Sequence, residues 1–166
     1  MTTSLIEAAP SAPSAPITPV DLRNRVVVGL DDDPVSVEAL RFAATEAAYR
    51  GGDVVAMHVW HYPSTWGYPM AWPEEASLGE LILPELQRTV EQVVAERAAA
   101  GEAAVAITTQ VVQGVDSFAL CAAAHSGALL VLGARHHNRL LGSVSQACVN
   151  HPPCPVVIVP IAEATS

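Results

Sequence analysis

ALLVLGARHHNRLLGSVSQACVNHPPCPVVIVP, residues 128–160, decides the fold of this chain. A short apolar run, residues 128–132, ends at Gly133. A polar, basic loop follows over residues 134–139. Gly142-Ser143-Val144-Ser145 then opens an apolar helix that stops before Pro152-Pro153. A second apolar run, Val156-Val157-Ile158-Val159, lies between Pro155 and Pro160. Runs of five and four residues are too short for helices and suit strands buried on both faces of a parallel sheet. The order is strand, glycine loop, helix, strand: one βαβ unit. The N–H groups of a helix that begins at Gly142 or Ser143 point back at the strand end. Such a terminus binds anions through its unpaired donors and its dipole.

The rest of the chain limits what this unit belongs to. Its 166 residues suit one domain plus some tail, and 51% of them are apolar, enough for a real core. No apolar run approaches the roughly 20 residues of a membrane span, and the N-terminus lacks the basic and apolar regions of a signal peptide. A soluble cytoplasmic protein with no membrane partner is expected. The three cysteines, Cys121, Cys148 and Cys154, show no metal-type spacing and read as small buried hydrophobes in a reducing compartment. The formal charge is −9, with eight basic residues, all arginine. No basic stripe is available to replace counterions, so no nucleic-acid partner is expected. The absence of lysine also excludes a Walker A loop.

In chain order, residues 1–22 are rich in Ala, Pro, Ser and Thr, with Pro10, Pro13, Pro16 and Pro19 at three-residue spacing. This composition predicts a disordered tail, with polyproline recognition as an alternative use. RVVVGL, residues 25–30, is the first strand. Asp33 and Pro34 make the N-cap and first residue of a helix to about Arg50, with Val37, Leu40, Ala44 and Ala47 on one face. Gly51-Gly52 ends it, and a second strand spans residues 54–59. Residues 60–72, WHYPSTWGYPMAW, hold five of the eight aromatics and fit neither helix nor strand period. A long loop of this kind is a lid or contact surface for a protein partner, or a cover for one end of the core. A helix follows, starting between Ser77 and Pro84 and running to Ala100, and its regular part is expected to start at Pro84. Leu86, Val90, Val93 and Arg97 give its spacing, and Gly101 stops it. Residues 103–112 form the third strand, Gly114 and Asp116 a turn and cap, and residues 117–125 the third helix, stopped by Gly127. The last 33 residues quoted above complete a β-α-β-α-β-α-β-α-β order. That alternation predicts an α/β fold with a doubly wound, five-stranded parallel sheet. Ligands bind such sheets at the C-terminal strand ends, where Asp31, Val59 and Gly133 all fall.

The candidate chemistry is narrow. Asp31-Asp32-Asp33 offers oxygen ligands for Mg²⁺, yet one is expected to cap the helix and no other carboxylates lie nearby in sequence. The triplet also resembles the acidic cluster of a phosphorylatable receiver domain. That reading needs an acceptor Asp at the end of strand three and a later lysine, and neither is present. Adjacent His136-His137 do not share a helix face and make a poor metal pair. His58 and His61 offer no pattern. Ser143 and Ser145 lack an arguable His/Asp partner, and capping and anion contact account for Ser143. Gly133, ending an apolar strand opposite a glycine-opened helix, suits close backbone approach to a phosphate.

With those residues in place the chain resembles a universal stress protein over roughly residues 25–159. VVVGLD with Asp31 is similar to the family's opening strand and its adenine-side aspartate. AMHVW is similar to the second strand, with Val59 where the backbone reads adenine. VVQG, residues 111–114, resembles the strand-three turn. LLVLGAR and GSVSQACVNHPPCPVVIV resemble the closing signature. The resemblance implies a Rossmann-like sheet in the order 3-2-1-4-5, a domain over residues 23–161 between tails 1–22 and 162–166, and a homodimer. It implies an adenine nucleotide, ATP with or without Mg²⁺, held by Asp31, Val59, Leu132, Gly133, Arg135, His136, Gly142, Ser143, Val144 and Ser145.

The family's ATP-binding pattern is glycine, two residues, glycine, nine residues, then Gly-Ser or Gly-Thr. Here His136 stands at the second glycine position, and five residues separate it from Gly142. The phosphate loop is four residues shorter than the pattern and carries a side chain where backbone approach is wanted. Arg135, His136 and Arg139 are cationic substitutes. The expectation is a stress-response regulator whose site keeps its adenosine half and has an altered phosphate half. The alternative is a nucleotide-independent dimeric interaction module. An ATP-hydrolysing enzyme ranks last, since no general base has a defined partner. Independently of the resemblance, VVIV is an apolar run without a guarding charge, so dimerisation across Val156, Val157, Ile158 and Val159 is expected.

Overall fold

A computed structural model describes residues 24–61, 75–125, 129–134 and 141–160. Nine elements alternate along them: β1 (Val26–Gly29), α1 (Pro34–Arg50), β2 (Val54–Trp60), α2 (Glu75–Ala99), β3 (Ile107–Gln113), α3 (Asp116–Ala124), β4 (Leu129–Gly133), α4 (Ser143–Asn150) and β5 (Val156–Val159). The strands form one parallel sheet in the order β3-β2-β1-β4-β5. The predicted fold and strand order therefore hold. The tails (residues 1–22 and 162–166), Gly127 and residues 62–72 of the aromatic segment lie outside the described residues.

Strand pleating divides the core into two layers. Val26 and Val28 of β1, Val54 and Ala56 of β2, and Leu129 and Val131 of β4 pack with Ala39, Leu40, Ala43 and Ala47 of α1 and with Leu86, Val90 and Val93 of α2. The alternate residues Val27, Val55, Met57, Leu130 and Leu132 face the other side, against Leu120 and Ala124 of α3 and Cys148 of α4. Side chains that alternate between two covered faces are what a central parallel strand requires. Alanine predominates on the buried stripe of α1, which lets its axis lie close to the sheet. Val37, placed on that stripe by spacing, sits at its margin and is only partly buried.

Helix ends follow the local chemistry. The Asp33 side chain accepts from the Val35 N–H at 3.1 Å and Pro34 occupies the first turn. Gly51 closes α1 in the left-handed region at φ 63°. Beside it, Arg25 and the buried Asp53 pair at 3.0 Å and tie the starts of β1 and β2 together.

Three expectations are corrected. Helix α2 begins at Glu75, ahead of the start expected between Ser77 and Pro84, and Pro84 lies inside its regular part rather than in its first turn. A proline in that position forfeits one backbone bond and crowds the Glu80 carbonyl, and the helix-forming residues on either side outweigh that loss. Strand β3 starts at Ile107 rather than at residue 103, because its first partner in register is Val54, the first residue of β2. Asp116 is not a cap. Val115 holds the N-cap position without a side-chain bond, and Asp116 is the first residue of α3.

Candidate functional site

The sheet order fixes where a crevice must open. Going from β1, the chain returns through α1 on one face, and from β4 through α4 on the other, so the C-terminal ends of these neighbouring strands splay their connections apart. A cavity of about 330 Å³ lies there. Its floor is apolar: Met57, Leu120, Leu132 and Val144. Its rim brings together Asp31 after β1, Val59 and His61 at β2, Asp116 at α3, Gly133 at the end of β4, and Gly142, Ser143 and Ser145 at α4. Its volume is in the range of small-molecule sites, roughly 300–1,000 Å³.

Eight of the sequence-selected residues thus line one crevice: Asp31, Val59, Leu132, Gly133, Gly142, Ser143, Val144 and Ser145. Arg135 and His136 lie outside the described residues, as do His137 and Arg139. The α4 end of the crevice is built from backbone donors. Gly142 is the N-cap, without a side-chain bond, and its carbonyl accepts the first helical bond from Gln146 at 2.8 Å. The N–H groups of Ser143, Val144 and Ser145 precede that bond and have no partner within the helix. Ser143 is therefore the first helical residue and not the cap assigned to it from sequence. A side chain reaches back to cap a helix only from the position before the first turn.

Two further residues have different duties from those their sequence context suggested. A β-carbon added at Gly133 would lie 2.7 Å from Cγ1 of Val35, so this glycine is required by the close passage of α1 as well as by any ligand. The buried Ser145 hydroxyl donates to the Gly133 carbonyl at 3.4 Å, which ties α4 to β4 and gives the hydroxyl no base to activate it. The Asp31 loop is ordered from the α1 side. Its N–H donates to Oγ of buried Ser36 at 2.9 Å, and its carboxylate accepts from the Asp32 N–H at 2.9 Å. Oδ1 of Asp33 is engaged by its cap. Among the described residues no cluster of three or more His, Cys, Asp or Glu can hold a metal ion.

Positive charge is scarce around the crevice. Arg25, Arg41, Arg50, Arg88 and Arg97 each pair with a carboxylate elsewhere on the molecule. Among the described residues, the α4 N-terminus is where backbone donors face the crevice. Sequence reasoning missed Val35, Ser36, Met57, His61, Asp116 and Leu120. His61 follows β2 directly, and Val35, Ser36 and Asp116 lie in the first turn of α1 or α3, which is a signal in sequence; Met57 and Leu120 lie inside their elements and carry none.

A family comparison agrees with this architecture. A model of the universal stress protein family matches residues 23–160. The chain belongs to the universal stress protein family. A universal stress protein of Mycobacterium tuberculosis, found in strains CDC 1551 / Oshkosh and H37Rv, is 30% identical over 141 residues. The match covers 80% of this chain and 44% of the relative, so the chain spans less than half the length of the curated relatives it matches. A universal stress protein solved in complex with cAMP is 24% identical, with a TM-score of 0.57, covering 83% of this chain and 97% of that one. One from Archaeoglobus fulgidus, in complex with dAMP, is 21% identical, with a TM-score of 0.55, covering 81% and 96%. Both share the universal stress protein fold with this chain. Among the described residues no helix is long and apolar enough to cross a membrane.

Proposed function

We propose that this chain is a stress-response regulatory protein that binds an adenine nucleotide, ATP foremost, in the crevice between β1 and β4. One observation carries the reading. The unpaired N–H groups that open α4 and an apolar floor of base-sized extent border the same cavity of about 330 Å³. A purine fits the apolar part and phosphates fit the helix terminus. The relatives solved with cAMP and dAMP lend support to an adenine nucleotide as the ligand class. Mg²⁺ would arrive with the phosphates, since Asp33 is already committed. The five described arginines are paired away, so Arg135, His136 and Arg139 are the cationic groups left in the connecting span. Binding is weakened by that short span, not abolished.

Regulation, not catalysis, is the proposed output. Ser145 donates to a carbonyl, so its hydroxyl is not set against a base. The functional unit is a homodimer joined at β5 in the cytoplasm, with the segment from Trp60 onward as the surface for a protein partner. The four-residue shortening favours a second reading, a dimeric interaction module that no longer needs nucleotide. Native mass spectrometry of the purified protein and calorimetric titration with ATP and Mg²⁺ separate the two. Micromolar binding, about −8 kcal/mol, is expected. No bound mass and no heat would leave the interaction module as the function.

A further inference from the structure

The three cysteines of the chain converge on one core layer. Cys121 of α3, Cys148 of α4 and Cys154 just ahead of β5 all pack with Leu120 and Leu130. Two of them meet sulfur to sulfur, although 27 positions separate them in the chain. The Cys121 thiol donates to Sγ of Cys148 at 3.5 Å, and the Cys148 thiol to the Ser117 carbonyl at 4.0 Å. The third is engaged elsewhere, donating to the Pro155 carbonyl at 3.4 Å. Exposure differs within the pair. Cys148 is fully buried, whereas Cys121 keeps part of its surface in solvent. A disulfide sets its sulfurs about 2.05 Å apart, so a bond needs an approach of only about 1.5 Å from the present contact.

We infer that Cys121 and Cys148 form an oxidation site, closed to a reversible disulfide by a hydroperoxide. Cys121 is the sulfur that the oxidant can reach. As the thiolate it attacks the terminal peroxide oxygen, and the O–O bond breaks. The departing oxide takes up the proton that Cys121 lost and leaves as alcohol or water, and Cys121 becomes a sulfenic acid. The Cys148 sulfur then attacks the Cys121 sulfur. The S–O bond breaks, and the hydroxyl leaves with the Cys148 proton as water. Two thiols thus give up two electrons to one hydroperoxide. Burial keeps the proton on Cys148, which makes it inert to reagents in solution but not to a sulfenic sulfur already in contact with it. In a reducing compartment the bond is transient and driven by oxidant. It ties α3, whose Leu120 floors the crevice, to α4, whose first turn lines it. A cross-link of this kind also restricts the unfolded chain and so raises stability. None of these steps depends on a nucleotide.

Cys154→Ser isolates the pair. The folded, full-length variant is treated with hydrogen peroxide, then unfolded in urea with N-ethylmaleimide present, weighed and digested with trypsin. The oxidised variant should take up no maleimide, and peptides 98–135 and 140–166 should emerge joined. Dithiothreitol should restore both thiols and separate the peptides. The urea midpoint of the oxidised C154S protein should lie above that of the reduced protein, and peroxide should not raise the midpoint of Cys148→Ser. Wild type keeps the test open should C154S fold poorly: after peroxide it should take a single maleimide, on Cys154. Maleimide on Cys121 or Cys148 after peroxide overturns the inference. So does a loss of labelling without the joined peptides, or a bond formed between two chains instead of within one.

Discussion

Gly133 and Gly142 stand at the two ends of one short span and answer to different constraints. At Gly133 the space is taken: Val35 Cγ1 would lie 2.7 Å from an added β-carbon. Gly133→Ala should therefore cost about 1–3 kcal/mol of stability, as overpacking does, read as a lower urea midpoint. At Gly142 the backbone is ordinary extended, φ −60° and ψ 161°, so a side chain brings no backbone strain. Gly142→Val should lower the urea midpoint modestly, since valine is a poorer N-cap than glycine, and weaken ATP binding by about tenfold, or 1.4 kcal/mol, through bulk at the phosphate end. Unchanged affinity would remove Gly142 from the site. Asp31, Val59 and Gly133 could be placed from sequence because they lie at or just beyond strand ends, which are visible as apolar runs. Met57, Leu120 and Val35 reach the same cavity through packing of α1 and α3 across the sheet. Nothing local to them signals that packing.

Helices α3 and α4 meet through sulfur, and their chemistry is set by that contact. Cys121 Sγ and Cys148 Sγ are 3.5 Å apart. Burial, reinforced by the Cys121 thiol, pushes the Cys148 thiol from its ordinary 9.0 up to about 12. Iodoacetamide at about pH 8 should leave Cys148 unmodified in the folded protein and label it once urea unfolds the chain, because only the thiolate reacts. Labelling of Cys148 in the folded state would show that α3 and α4 separate readily. The linked stability has a definite sign. The folded thiol holds its proton more tightly than the unfolded one, so its contribution is whole below 9.0 and is lost as pH rises from there towards about 12. The urea midpoint should fall more steeply above about pH 9 for wild type than for Cys148→Ala.

The elements themselves were largely readable, since caps such as Asp33 and stops such as Gly51 and Gly101 are local. The start of α2 was not. A rule about one proline is a local rule, and the helix from Glu75 spreads that cost over many turns. The start of β3 was hidden for the opposite reason, since it is set by Val54 on another strand.

At the scale of the whole molecule, β5 leaves one side of the sheet open. Its pairing with β4 uses alternate residues: the Leu130 N–H donates to the Pro155 carbonyl at 3.0 Å, and the Ala134 N–H to the Val159 carbonyl at 2.8 Å. In a strand the N–H and C=O of one residue point the same way and successive residues point opposite ways. Residues 155, 157 and 159 therefore address β4, while Val156 and Ile158 turn their backbone groups to the edge. A dimer through this edge has to use those groups. Ile158→Pro deletes an outward donor and spares the ladder to β4, and proline is tolerated on an edge strand for that reason. Ile158→Ala keeps the donor and removes much of the half-buried side chain that packs on the α3 and α4 layer. Light scattering should find the proline variant monomeric and the alanine variant dimeric, at protein concentrations where wild type is a dimer. If both variants stay dimeric, the interface lies elsewhere. If both become monomers, the side chain and not the strand edge holds the partners together. An edge-joined pair would also relieve the exposure of Val156–Val159, four half-buried apolar residues that carry no charge to repel another strand.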